Sequence, residues 1–220
     1  MDERSKAEED LRVIRSLMER ATVYRAISAP TALVAGGLSI LVAGSIYFNN
    51  EVDPIFGRVI RGREFAFTWI AVLVAALIAN TFLVWREARQ TGRPFISSGM
   101  KLALRTIAPC LLLPAAFTAW FLSTGYQGGT ELDLIVAWVA FYGLALLSTA
   151  LFAPRSLVIL GWAFLLTGLC VPALLNLLAS PSFDVPPVAM GITFGLYHLI
   201  YAVCTSPRKR EATGDRLGTE

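Results

Sequence analysis

Charged residues are scarce in this 220-residue chain. Asp, Glu, Lys and Arg make up 16% of the sequence, whereas an ordinary soluble protein carries about a quarter. The charges gather at the two ends and in short connections, and long uncharged stretches lie between them. A soluble protein of this size alternates polar and apolar residues at the helix or strand period throughout. The pattern therefore excludes an ordinary soluble domain and indicates a membrane protein.

Groups that carry chemistry are also few. The chain has one histidine, His198, and no Asp, Glu or Lys falls in the middle of an apolar run. This argues against a pump driven by protons or cations through membrane carboxylates. Serine-hydrolase, zinc-protease, phosphate-loop and dinucleotide motifs are absent from the sequence. The sequence therefore favours a protein that is not an enzyme, without excluding one, and we expect no cofactor.

The three cysteines form no pattern of a disulfide or metal site. Cys110, Cys170 and Cys204 lie in or at the edge of apolar runs, and no two of them form a Cys-x-x-Cys pair. We interpret them as small apolar packing residues. The sequence supports neither a disulfide framework nor a zinc site.

Long apolar runs are abundant. A helix that crosses a hydrocarbon core of ~30 Å needs ~20 apolar residues, and six runs approach this length. In lipid every backbone amide must bond within its own segment, so the runs are predicted to be helices. The sequence predicts an all-α transmembrane bundle over residues 29–205. Its six predicted spans cover residues 31–48, 65–85, 102–122, 134–153, 157–179 and 185–204.

Positive charge predicts the orientation of the bundle. Sixteen of the 19 Lys and Arg residues fall at the two termini and in or beside the second-to-third and fourth-to-fifth connections. The opposite side has only Arg58, Arg61 and Arg63, in the first outer loop. The positive-inside rule therefore places both termini in the cytoplasm of a plasma (inner) membrane protein. Arg outnumbers Lys 16 to 3, which is typical of a GC-rich genome and favours a bacterial source.

The outer loops carry few charges besides these arginines. We expect the first loop to rest on the membrane surface as a short amphipathic piece. Three acidic residues, Glu131, Asp133 and Asp184, are interpreted as solvated anchors.

The segment before the first span, residues 1–28, is predicted to form an amphipathic cytoplasmic helix. Ser5 and Glu8 have the spacing of a capping box, and Leu11, Ile14 and Met18 recur at helical spacing. Two heptads are too few for a coiled coil. The apolar face is thus expected either to lie on the bilayer or the inner loops, or to dock a protein partner through residues 5–27.

The last residues, 206–220, are predicted to form a basic, disordered cytoplasmic tail. The Arg208-Lys209-Arg210 cluster is explained as a topology signal that also touches anionic lipid. A nucleic-acid partner is not needed to explain it.

Polar residues inside the spans are the candidates for a functional site, because burying them is costly. His198 has three open interpretations: a hydrogen-bonded residue that locks the sixth span to a neighbour, a residue that lines a ligand cavity, or a metal or haem ligand. The metal or haem interpretation is the least favoured, because the chain has no second histidine and lacks the usual zinc ligand set. Gly191 and Gly195, on the same span, allow close helix approach. The candidate polar cavity, which would open to the cytoplasm, consists of His198, Tyr201, Asn80, Ser148 and Arg105.

Two alternatives accompany this cavity. Each Ser, Thr or Asn of the spans can instead join one helix pair, at ~0.6 kcal/mol per contact. Pro109, Pro114 and Pro172 are candidate helix hinges, which in transporters expose carbonyls to substrate, although proline is also common in ordinary membrane helices.

Three functions remain open from the sequence. The favoured one is a non-enzymatic regulatory, sensing or assembly subunit that acts through protein or lipid contacts. The second is a small carrier for an apolar or amphipathic solute, for which a homo-oligomer is an open alternative. The third is a membrane enzyme or cofactor protein that uses His198 and Tyr201.

Overall fold

A computed structural model describes residues 8–11, 28–52, 60–92, 98–124, 130–178 and 184–206. These residues are almost entirely helical and include no strand, so the predicted all-α class is confirmed for the described part of the chain. The helices are α1 (Ala29–Tyr47), α2 (Gly62–Thr91), α3 (Ser98–Thr124), α4 (Glu131–Leu147), α5 (Arg155–Leu178) and α6 (Val185–Thr205). A π-helical turn, Phe48–Val52, extends α1, and a π-helical stretch, Gly191–Tyr197, lies inside α6.

Five of these helices, all except α4, are long and apolar enough to cross a membrane. The helical part of α4 has 17 residues. Beyond it, the predicted fourth span continues as turns, in which the amides of Thr149 and Ala150 bond to carbonyls three residues earlier. The structure therefore gives five helices of spanning length, and the sixth crossing remains a prediction.

Local sequence signals explain where several helices begin and end. The Ser28 hydroxyl accepts a hydrogen bond from the Thr31 amide at the start of α1, as a helix N-cap does. Thr130 and Asp133 form a capping box at the start of α4. Gly92 ends α2 in the left-handed conformation, with φ of 63°, which glycine adopts without steric cost.

Glycines set the closest helix contacts. The most extensive contact among the described residues joins α4 and α5. A Cβ atom on Gly143 of α4 would lie 2.7 Å from the Gly161 carbonyl of α5. Gly36 of α1 similarly faces the Gly195 carbonyl of α6. The predicted close approach at Gly195 is therefore confirmed.

Helix α2 has the least packed surface. Its buried side chains, among them Phe65 and Trp69, lie in its first half. Leu73, Leu77 and Ile78, further along, are more than half exposed. The first half of α2 belongs to the core shared with α1 and α4, whereas the second half stands out from it.

The end of α1 and the starts of α2, α4 and α6 meet at one end of the bundle, beside the end of α3. We call it the Asp184 end, after the residue that precedes α6.

Some predictions fall on residues outside the described ranges. Of the predicted N-terminal helix, the structure describes residues 8–11, which are helical and exposed; the rest of that helix lies outside. The tail after Ser206 and residues 53–59 of the first loop, Arg58 included, also lie outside.

Candidate functional site

His198 is buried where α4, α5 and α6 meet. It is 5% exposed, and its Nε2 atom lies 2.9 Å from the hydroxyl of Tyr142 in α4. Its Nδ1 atom is also buried. His198 thus makes the interhelical hydrogen bond expected of a residue that locks the sixth span to a neighbour, which is the first of its three interpretations.

Aromatic rings surround His198 on three helices. Phe164 of α5 lies 4.7 Å from Tyr142 and 5.5 Å from His198 between ring centroids. Phe194, one turn earlier on α6, stacks on His198 at 6.3 Å and 15°. Such ring pairs contribute about 0.5–1.5 kcal/mol each beyond simple burial. The cluster therefore fixes the relative positions of α4, α5 and α6, mainly through apolar ring contacts.

The π-helical stretch of α6 brings two polar side chains into this cluster. Tyr197 is its last residue and His198 follows it. The Tyr197 hydroxyl lies 2.8 Å from Thr167 of α5, while His198 bonds to α4. π-Helical insertions are rare and are frequently found at functional sites. Here the insertion lets consecutive residues of α6 bond to two different helices.

The other members of the predicted cavity are spread over the bundle. Asn80 of α2 accepts a hydrogen bond from the Thr31 hydroxyl of α1 at 3.1 Å. Ser148 donates to the Ala145 carbonyl of its own segment at 2.7 Å. Arg105 is exposed on α3, and Tyr201 is 7% exposed on α6. The bonds of His198, Asn80 and Ser148 thus run to residues outside the predicted group, and the shared cavity remains a prediction.

The candidate hinge prolines lie within continuous helices. α3 runs through Pro109 and Pro114, and α5 runs through Pro172. The Thr118 hydroxyl donates to the Pro114 carbonyl at 2.6 Å and accepts from the indole N–H of Trp138 in α4 at 2.8 Å. Pro114 therefore stands where α3 is held against α4.

A polar network at the Asp184 end was not foreseen from the sequence. Asp184 is 3% exposed and accepts hydrogen bonds from Asn50 at 2.7 Å and from the Arg61 guanidinium. Asn50 also pairs with the backbone of Ile60, accepting from its amide at 2.8 Å. The network ties the end of α1, the start of α2 and the start of α6 together.

The interpretation of the outer acidic residues as solvated anchors is wrong for two of the three. Asp184 is buried in this network, and Glu131 is 6% exposed and accepts a hydrogen bond from the Gly62 amide at 2.6 Å. Both carboxylates find donors because Arg61 and Gly62, at the start of α2, lie beside the starts of α6 and α4. Asp133 is exposed and caps α4.

The described residues contain no group of three or more His, Cys, Asp or Glu side chains able to hold a metal ion. Comparisons of the chain with protein-family models, with curated proteins and with solved structures give no match.

Proposed function

We propose that the chain crosses a bacterial inner membrane six times, with both termini in the cytoplasm. The five apolar helices support a multi-pass arrangement, and α4 continues through turns that extend its 17 helical residues. The charge pattern supports the orientation, since 16 of 19 positive residues lie at the termini and at two of the connections.

Cysteine labelling tests this topology. In a background without Cys110, Cys170 and Cys204, Ser123→Cys lies at the Asp184 end and Ser206→Cys at the opposite end. A membrane-impermeant maleimide should label Ser123→Cys in intact cells, and Ser206→Cys only after permeabilisation. If α4 did not cross, α6 would end outside and Ser206→Cys would react in intact cells, which would overturn the six-span topology.

Within this topology, we propose a non-enzymatic regulatory, sensing or assembly subunit that acts through protein or lipid contacts. The observation that carries this proposal is the use of the intramembrane polar groups. Asn80, Trp138, His198 and Tyr197 each bond to a side chain on a neighbouring helix. These groups hold the bundle together, and such bonds contribute ~0.6 kcal/mol on average.

The N-terminal segment, residues 5–27, is the proposed contact for a membrane or cytoplasmic protein partner. Its described part, residues 8–11, is helical, and Leu11 is 66% exposed. An apolar side chain at that position gains free energy on burial against a partner or a bilayer. The spacing of Leu11, Ile14 and Met18 in the sequence would place them on one face of a helix.

Deletion of residues 1–26 tests this role. We expect the truncated protein to insert and fold. When the full chain is purified from its own host, native mass spectrometry should show a second polypeptide bound in a fixed ratio, and the truncated protein should lack it. Leu11→Arg should weaken the same complex, because it places a charge on the apolar face. Asp10→Arg, which makes a larger charge change one position away, is the control and should leave the complex intact. A complex that survives the deletion unchanged would count against the proposed subunit role.

A further inference from the structure

A narrow apolar groove runs between α1 and α6 on the surface of the bundle. It has a volume of about 280 Å³ and is lined by Ile40, Gly44 and Tyr47 of α1 and by Val188, Gly191 and Ile192 of α6. Ile40 is 39% exposed and Ile192 is 44% exposed, so the groove opens sideways, away from the protein core. The lining is almost entirely apolar and lies along the two helices. The groove is therefore suited to an apolar chain that lies along them.

Glycine creates this opening. A Cβ atom on Gly44 would meet no atom within 4 Å, whereas one on Gly195, deeper in the same helix pair, would lie 2.5 Å from Ile40. The two helices thus touch near Gly195 and again where Gly191 meets Ala43, and the space beside Gly44 lies on the outer side of that second contact. Both helices are long and apolar enough to span a membrane, so the groove faces the hydrocarbon of the bilayer.

An ion pair, Arg61 with Asp184, lies beyond one end of the groove. Asp184 is the residue before α6, about one helical turn from the groove, and it holds the guanidinium of Arg61. The Arg61 side chain is 46% exposed, so part of its donor surface faces outward. Arginine is well suited to phosphate because its planar fork presents several N–H donors.

We propose that this groove binds a phospholipid, with one acyl chain between α1 and α6 and the headgroup phosphate on Arg61. The apolar lining matches an acyl chain, the sideways opening gives access from the bilayer, and the exposed part of Arg61 beyond the helix end matches a headgroup phosphate. The proposal rests on the proposed function only for the crossing of the bilayer by α1 and α6.

Photo-crosslinking tests the site on the full chain in lipid nanodiscs. The probes are phosphatidylglycerol with a diazirine on one acyl chain and diacylglycerol with the same labelled chain. We expect phosphatidylglycerol to label peptides that contain residues 40–47 and 187–192. It should label them about tenfold more than diacylglycerol, as expected for one charge-assisted hydrogen bond.

Two glycine variants make a matched pair for this test. Gly44→Leu fills the groove and should abolish most of the labelling of both peptides. Gly37→Leu, on the same helix, also places its Cβ in open space but lies outside the groove. This variant should therefore be labelled as strongly as the unsubstituted protein. If the lipid probe labels the two variants equally, or labels residues evenly around the bundle, the groove is not a lipid-binding site. Equal labelling by diacylglycerol would overturn the role of Arg61.

The outcome is separable from that of the subunit role. The chain that lacks residues 1–26 retains the groove, so the lipid probe should label it as strongly as the full chain. A protein that keeps its partner but shows no selective labelling would overturn the lipid site alone.

Discussion

Gly143→Ala is expected to lower the free energy of unfolding by about 3 kcal/mol, at the upper end of the usual cost of overpacking. A Cβ atom at this position would lie 2.5 Å from the Leu165 amide nitrogen and 2.7 Å from the Gly161 carbonyl oxygen. Both are backbone atoms, so a change of rotamer cannot relieve the clash. The added methyl must instead push α4 and α5 apart along their most extensive contact.

The damage should extend beyond the α4–α5 contact. Tyr142, the neighbour of Gly143, carries the hydroxyl that bonds His198 and a ring that packs on Phe164 and Phe194. Displacement of α4 therefore also loosens its contact with α6. Interiors are densely packed, so a shift of a few tenths of an ångström at one contact is felt at the next.

Gly37→Ala is the control for Gly143→Ala. It makes the same substitution in a helix, but its Cβ points into open space. Alanine favours the helix over glycine by about 1 kcal/mol, so Gly37→Ala should be neutral or slightly stabilising. Reversible unfolding in mixed micelles, followed by circular dichroism, measures both variants. Equal stability of the two would mean that α4 and α5 are not in contact at Gly143.

The sequence is informative about helices and poorly informative about their contacts. Length and apolarity alone predict the helical runs, because a chain in lipid must bond its backbone within each segment. The contacts depend on which face each helix turns to its neighbour. Nearly every face of a membrane helix is apolar, so periodicity does not identify that face. Gly143 and Gly37 both lie in apolar runs of the sequence, although Gly143 packs tightly against α5 and Gly37 faces open space.

The candidate site was predicted only in part. His198 was identified because it is the sole histidine in the chain and lies in an apolar run. Its partners, Tyr142, Phe164 and Phe194, lie in runs where an aromatic ring carries no special signal. The π-helical stretch before His198 was also missed, because one extra residue in a turn shifts the register without changing the apolar composition.

The Asp184 network was missed for a different reason. Asp184 and Asn50 are separated by 134 positions, and both stand next to predicted loops. A carboxylate beside a loop is most simply interpreted as solvated, and only the structure shows that Asn50 and Arg61 donate to it. Arg61 gave the one available signal, since it is a positive charge on the side where the charge rule expects few.

Arg61→Ala is expected to cost about 2 kcal/mol of folding free energy. Removing one partner of a fully buried ion pair costs roughly 3–5 kcal/mol, because the other charge stays buried and unpaired. Asp184 is buried, but Arg61 is 46% exposed, and solvent screening of its charge lowers the expected loss. Arg63→Ala is the matched control: it removes the same side chain two positions away, where the residue is exposed, and should change stability little.

Removing both charges should restore part of the loss. In Arg61→Ala/Asp184→Ala no carboxylate remains buried without a cation, and Asn50 keeps its bonds to the backbone of Ile60. The double variant is therefore expected to be more stable than Arg61→Ala alone, since replacing both partners of a buried pair is often close to neutral. The same unfolding measurement compares Arg61→Ala, Asp184→Ala and the double variant with Arg63→Ala. If the double variant is less stable than Arg61→Ala by the full cost of Asp184→Ala, the two residues act independently, and the network does not couple the start of α2 to the start of α6.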